Sequence, residues 1–398
     1  MTDWTPTRAA ALTRLQDFVP HAAGDYAKRR DFDLPGHPGV SRLSPWLRHR
    51  LITEDEVIAA ILARHSPDMA GKFLSEIGWR LYFKGWLELR PGVWSAYQSE
   101  RDAAWNDVQT QSGLRQRWQD ACTGQTGIAC FDHWAQDLVQ TGYLHNHARM
   151  WFASIWIFTL HLPWTLGADF FLRHLLDGDA ASNTLSWRWV AGLHSRGKTY
   201  LADPDNIATY TQGAFRPEGL APQAPALDGP PPPRTRPCPV SDRFDTQGRT
   251  GLLLTEDDLH PDALLDRGLA PVATATLQAT AGRSHLAVAP LVHDFTAAAI
   301  ADCTARLADR LGPVTACTTT DDVAAWARTH ALDTVTTHHI PTGPADDALG
   351  DLRRTLSDHG IGLCVQVRPI DALAWPHATA GYFRFKDVLP EVLAQVRG

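Results

Sequence analysis

The chain has 398 residues, 44% hydrophobic and 20% charged, the balance of a globular protein with room for two or three cores. Its net charge of −7 excludes a global basic field for nucleic acid: residues 1–220 carry 22 Lys+Arg against 23 Asp+Glu, and the remainder 15 against 21. The six cysteines form no C-x-x-C pair, no run approaches the roughly 18 apolar residues of a membrane span, and MTDWTPTRAAAL lacks an export pattern; a cytoplasmic protein without disulfides, metal or membrane contact is expected.

Helical signals come first along the chain. Ser44-Pro45 reads as an N-cap followed by proline at the first helical position. Thr53 and Glu56 form a capping box ahead of an apolar run at 57–62. Stretches at 73–89, 131–139, 150–160 and 170–176 suit helices packed in a core. Within the first of these, Glu76 and Trp79 lie three apart and so share a helix face. Thirteen of the 15 tryptophans precede residue 190, which suits either a large aromatic core or rings that stack on planar ligands and carry electrons. A serine-capped helix start offers unpaired N–H groups to an anion. Asp177-Gly178-Asp179 alone is an ordinary turn sequence.

The pattern then changes. Residues 220–249 are rich in proline, with Gly-Pro-Pro-Pro-Pro at their centre, and read as an extended linker. Beyond them, short apolar or β-branched runs at 251–254, 272–277, 314–319, 334–337 and 362–367 alternate with helical stretches at 297–311 and 345–359. Such alternation implies a doubly wound parallel sheet. No G-x-G-x-x-G follows the first strand, so a dinucleotide site of the usual kind is not indicated. The expected architecture is an all-helical domain over 1–219, a linker over 220–249 and an α/β domain over 250–398.

Several segments of the first part resemble the FAD-binding domain of the DNA photolyase/cryptochrome family. They are Gly24-Asp25-Tyr26 with Arg30-Asp31-Phe32, the run Val40-Ser41-Arg42-Leu43-Ser44-Pro45, and Glu76-Ile77-Gly78-Trp79-Arg80. To these are added Gly142-Tyr143-Leu144-His145-Asn146-His147-Ala148-Arg149-Met150, and Asp177-Gly178-Asp179 followed by Asn183 and Trp187-Arg188-Trp189. The resemblance implies that Tyr26, Arg30, Val40, Ser41, Arg42, Leu43 and Ser44 hold FAD. It adds Arg149 paired with Asp177, Gly178, Asp179 as acceptor from the flavin ring, and Asn183 facing the flavin. It further implies a lesion pocket walled by Trp79 and Trp189, with Glu76, Asn146 and Met150, and DNA contacts from Arg80 and His147. Trp187 and Trp164 match two members of an electron-transfer chain, with Trp105 the candidate third. Val40, Leu81 and His147 stand where the family has threonine, an acidic residue and arginine.

What the resemblance implies for function is light-driven repair of cyclobutane pyrimidine dimers in DNA by a monomeric carbon–carbon lyase. Photolyases of six-four photoproducts place histidines where this chain has Asn146 and Met150. The alternatives are a cryptochrome-like photoreceptor and a flavin-binding protein without photochemistry. The second domain is weakly similar to the family's antenna domain, at Gly251-Leu252-Leu253-Leu254 with its acidic turn, near His359-Gly360-Ile361-Gly362-Leu363, and at Gly381-Tyr382-Phe383-Arg384-Phe385. In the family that domain comes first, so a swapped order, a circular permutation, is expected; an unrelated α/β domain is the alternative. No motif identifies a second chromophore.

Overall fold

The computed structural model describes residues 4–396. Its first part is entirely helical: α1 (Arg8–Phe18), α2 (Gly24–Arg29), α3 (Ser44–Arg48), α4 (Glu54–Leu62), α5 (Gly71–Glu88), α6 (Gly92–Thr110), α7 (Ser112–Thr123), α8 (Ala129–Thr141), α9 (Asn146–Ser154), α10 (Trp164–His174), α11 (Ala180–Val190) and α12 (Pro204–Tyr210). Side chains satisfy the first N–H groups of several of these helices. Thr53 and Glu56 form the reciprocal capping box of α4, His145 accepts from His147 N to start α9, and Asp179 accepts from Ser182 N to start α11. Ser44 departs from its expected place. It is the first residue of α3 rather than its cap, Leu43 holds the cap position, and Pro45 falls one residue later. Residues 155–159 widen into a π turn after α9. Gly142 ends α8 in the left-handed region at φ 71, a conformation glycine takes without strain.

The sheet holds β1 (Thr250–Thr255), β2 (Thr274–Leu277), β3 (Val314–Cys317), β4 (Thr334–His338) and β5 (Gly362–Gln366), all parallel in the order β3-β2-β1-β4-β5. This is the doubly wound arrangement that the alternating pattern implied. Its helices are α13 (Asp262–Asp266), α14 (Pro290–Arg306), α15 (Ala308–Leu311), α16 (Thr320–Thr329), α17 (Pro344–Leu349), α18 (Leu352–Ser357), α19 (Pro369–Ala374), α20 (Tyr382–Lys386) and α21 (Leu389–Val396). The helical stretches expected at 297–311 and 345–359 are each split. The second breaks at Gly350, whose φ is 47. Central β1 is buried on both faces. Leu253 enters a small core with Ala275, Val335 and Trp326, while Leu252 and Leu254 join the main core of the helical domain.

The two parts are therefore docked, sharing one continuous apolar cluster. Residues 211–249 have no regular helix or strand and run along the surface, tied down by Leu227 N to Ala191 O, Arg236 N to Leu89 O and Asp242 N to Val365 O. A buried ionic network lies where the carboxyl end of β1 meets the helical domain. Arg48 reaches Asp257 (2.5 Å), Arg50 reaches Asp258 (2.8 Å) and Asp371 (3.3 Å), and Glu54 takes Arg80 (2.8 Å) and Arg368 (2.9 Å). Gly85 on α5 lets Trp375 approach; a Cβ there would lie 2.7 Å from the indole ring. Among the described residues, no helix is long and apolar enough to cross a membrane.

Candidate functional site

Three helical stripes enclose the main cavity, of about 460 Å³, a usual size for a ligand site. From α5 come Phe73, Glu76, Ile77 and Arg80, at i, i+3, i+4 and i+7, with Trp79 and Phe83 beside them. From α9 come Asn146, Arg149 and Met150, and from α11 Asn183, Ser186, Trp187 and Val190. Residues 3.6 to the turn recur on one face at these spacings, so each helix presents a continuous strip. The α2–α3 segment closes the ring with Tyr26, Arg30, Val40, Ser41, Arg42, Leu43 and Ser44, and the turn before α11 adds Asp177, Gly178 and Asp179. Arg14 on α1 fixes the first of these segments, donating to the carbonyls of Ser41 (2.7 Å) and Val40 (3.2 Å).

The polar groups around the cavity are held in place. Arg149 grips Asp177 through two hydrogen bonds of 3.0 and 2.8 Å, and its Nε donates to Leu144 O. Asp179 accepts from Lys84 Nζ at 2.7 Å through one oxygen and from Ser182 N at 2.8 Å through the other. Burial alone would raise the Asp179 carboxyl, but Lys84, Arg80 and Arg48 hold it well below the usual carboxylate range. Arg48 Nε also donates to Gly178 O, so the turn is tied to the domain interface. Glu76 pairs with Arg30 at 2.6 Å, and Asn183 donates its amide to Ala168 O.

The two tryptophan walls are supported differently. Trp189 stacks on Tyr200 with ring centroids 5.8 Å apart. Trp79 lies flat against Tyr382 of α20, at 3.6 Å and 13°, and Tyr382 donates to Ser75 O at 2.7 Å. Tyr382 and Lys84 are the important neighbours that sequence reasoning missed. Lys84 carried a signal, since a charge four residues after Arg80 on an otherwise apolar stretch of α5 needs a buried partner; Tyr382, some 300 residues away in sequence, carried none.

Three expected residues lie outside the cavity lining. His147 points into a ring cluster, stacked on Trp151 at 4.1 Å and bonded to Asp31 O and Tyr200, because α9 turns it away from Asn146 and Arg149. Trp164 is buried against Tyr97 (5.8 Å), and Trp105 sits further off, against Trp118 (5.0 Å) and His285. Trp187 lines the cavity and packs edge-on against Phe171 at 5.1 Å. Its indole N–H has no hydrogen-bond partner among the described residues.

These residues fit FAD. A planar ring system needs an apolar slot with polar edges, supplied here by Phe171, Leu175 and Trp187 beside Asp179, Asn183 and the Arg149–Asp177 pair. A diphosphate needs hydroxyl and backbone donors, available at Ser41 and Ser44.

Residues 73–213 match the family model described as the FAD binding domain of DNA photolyase. The chain is 30% identical over 212 residues to the deoxyribodipyrimidine photo-lyase of Vibrio cholerae, covering 50% of this chain and 42% of that one. Against the enzymes of the same name from Escherichia coli and Agrobacterium fabrum the identities are 32% and 36%, covering 48% of this chain and 40% and 39% of theirs. The chain thus spans less than half the length of these relatives. Similar solved structures include a bacterial class III photolyase from Agrobacterium tumefaciens, at 28% identity and a TM-score of 0.39 over 51% of this chain and 40% of that one. A Synechocystis cryptochrome matches at 26% and 0.43, over 52% and 44%. The chain belongs to the photolyase/cryptochrome family, with its helical FAD-binding region first and a five-stranded parallel α/β sheet after it.

Proposed function

We propose that the protein repairs cyclobutane pyrimidine dimers in DNA under light, as a deoxyribodipyrimidine photolyase. The single observation behind this is that Glu76, Trp79, Asn146, Met150 and Trp189 line the same cavity as Asp177, Asp179 and Asn183. One chamber thus combines a flavin-type slot with a pocket for a flat, polar-edged ligand. FAD, when bound and reduced, supplies the light-excited electron that opens the dimer.

The chain's own residues do the rest. A damaged pair stacks and pairs poorly, so drawing it out of the duplex costs less than flipping intact bases. Trp79 and Trp189 give it apolar surfaces, and Asn146 and Glu76 provide polar groups for its carbonyls. Arg30 fixes the Glu76 carboxylate, and Tyr382 fixes the Trp79 ring, so neither must be ordered when the lesion arrives. Arg149–Asp177 and Lys84–Asp179 orient the cofactor edge. Residues 1–219 carry this chamber, 220–249 lead across the surface, and 250–398 act as a displaced antenna-type unit, reversing the family's domain order. Trp187, at the cavity wall, begins the route by which electrons reach the cofactor, with Trp164 and Trp105 behind it.

The test is to purify the protein, record its flavin spectrum, reduce it, and irradiate with blue light in the presence of an oligonucleotide carrying one cyclobutane thymine dimer. Chromatographic recovery of intact thymines is expected. A protein that binds FAD and bleaches but leaves dimers intact would be a cryptochrome-like photoreceptor instead.

A further inference from the structure

Among the large apolar side chains of the described residues, Phe383 is the most exposed, at 82%. It sits on α20, a helix of one and a half turns whose outward face also carries the exposed Arg384 and Lys386. Its inward face is anchored. Tyr382 stacks on Trp79 and bonds to Ser75, Phe385 packs against Tyr82 at 5.6 Å, and Gly78 leaves room for the Tyr382 hydroxyl. Phe383 is therefore one ring further out than Tyr382, from which it is 6.4 Å, and Tyr382 lies directly behind the cavity wall formed by Trp79. An exposed aromatic ring with two cations, on the helix that backs the Trp79 wall of the cavity, is unusual in a part of the chain that is net acidic. One acid, Asp387, follows at the helix end.

We propose that α20 is a DNA-contact surface: Phe383 fills the gap left in the duplex when nucleotides enter the cavity, and Arg384 and Lys386 hold the flanking phosphates. This rests on the repair function proposed above and adds to it a role for the C-terminal segment. Charge complementarity names the occupant, since two cations flanking an apolar side chain match a polyanion with exposed base faces. Apolar wedges that enter base steps, and aromatic rings that stack on bases, are recurrent ways of holding distorted DNA. A lipid surface suits α20 poorly, because a five-residue helix with one outward apolar side chain has too little area to embed.

The test compares the full-length, FAD-loaded protein with its Phe383→Ala and Arg384→Ala/Lys386→Ala variants by fluorescence anisotropy. The probes are a duplex with one thymine dimer, the same dimer in a single strand, an undamaged duplex, a duplex with a two-nucleotide gap, and phosphatidylserine vesicles. Phe383→Ala should weaken dimer-duplex binding roughly tenfold, the loss of one base–aromatic stack, and leave single-strand binding unchanged. The double variant should reduce the salt slope of log Kd by about 2, one for each phosphate contact. Equal binding by Phe383→Ala, or equal loss on duplex and single strand, overturns the proposal. So do variants that change vesicle binding while DNA binding stays constant. If the wild type does not distinguish dimer from undamaged duplex, the repair function fails, and the gapped duplex decides α20. Phe383-dependent preference for the gap sustains it; its absence overturns it.

Discussion

Lys84 donates to Asp179 across 2.7 Å, and both side chains are buried, at 3% exposure each. Asp179 is thereby an anion with a fixed partner on one side, the start of α11 on the other, and the cavity in front. Removing one member of a buried ion pair leaves the other uncompensated and costs about 3–5 kcal/mol. Lys84→Met should lose that much stability in chemical denaturation and should shed FAD on gel filtration. Lys84→Arg should keep the flavin-to-protein ratio of the parent. An unchanged ratio in Lys84→Met would contradict the role given to the pair.

The acid limb of stability should come from the domain interface. Burial works against the ionised Asp258, but His338 at 3.0 Å and Arg50 at 2.8 Å hold its carboxyl far below the usual range. Burial likewise opposes ionised Glu54, which Arg368 and Arg80 hold low. A depressed carboxylate contributes stability above its unfolded value, about 4, and loses it as pH falls towards the folded value. Asp55, pushed up to about 6 by burial, has the opposite sign: its contribution is present at low pH and is lost as pH rises through about 6. Denaturation midpoints should therefore fall steeply below about pH 4. Asp258→Asn should flatten that limb and lower stability at pH 7, where it leaves Arg50 with Asp371 alone and His338 without its carboxylate partner. A variant with the parent's acid slope would show that the charge is elsewhere.

Trp79 and Tyr382 should behave as one unit. Tyr382→Ala removes a flat ring contact and the hydrogen bond to Ser75, and should cost on the order of 3 kcal/mol of stability. Trp79→Ala should in addition weaken binding of a dimer-containing oligonucleotide by about 1–3 kcal/mol, the value of a base–aromatic stack. Calorimetric unfolding and anisotropy titrations separate the two effects. Lesion affinity unaltered by Trp79→Ala would remove that ring from the pocket.

Photoreduction should depend on Trp187. Its ring lines the cavity and packs against Phe171, and phenylalanine fills most of the same volume while being harder to oxidise. Trp187→Phe should fold and bind FAD normally, yet bleach far more slowly under blue light with a reductant. Bleaching at the parental rate would mean that electrons arrive by another path. Trp164 and Trp105 belong to separate ring groups, around Tyr97 and around Trp118, so their variants report how the path continues.

Much was determined locally by the sequence. The five strands lie where short β-branched runs alternate with helices, because a buried parallel strand must be apolar on both faces, as β1 is. Helical spacing alone put Glu76 and Trp79 on one face, whereas Asn146, Arg149 and Met150 were picked out by their resemblance to the family's segment. Ser44 was misplaced by one residue, because a Ser-Pro pair fits the helix start in either register. Only the tertiary structure decided what depends on contacts between distant segments. Arg48 and Arg50 meet Asp257 and Asp258 across more than 200 residues, Lys84 meets Asp179, and Tyr382 backs Trp79. No periodicity encodes such pairings. They arise because a buried charge must find its counter-charge, and an apolar ring its neighbour, wherever the packed chain brings one within reach.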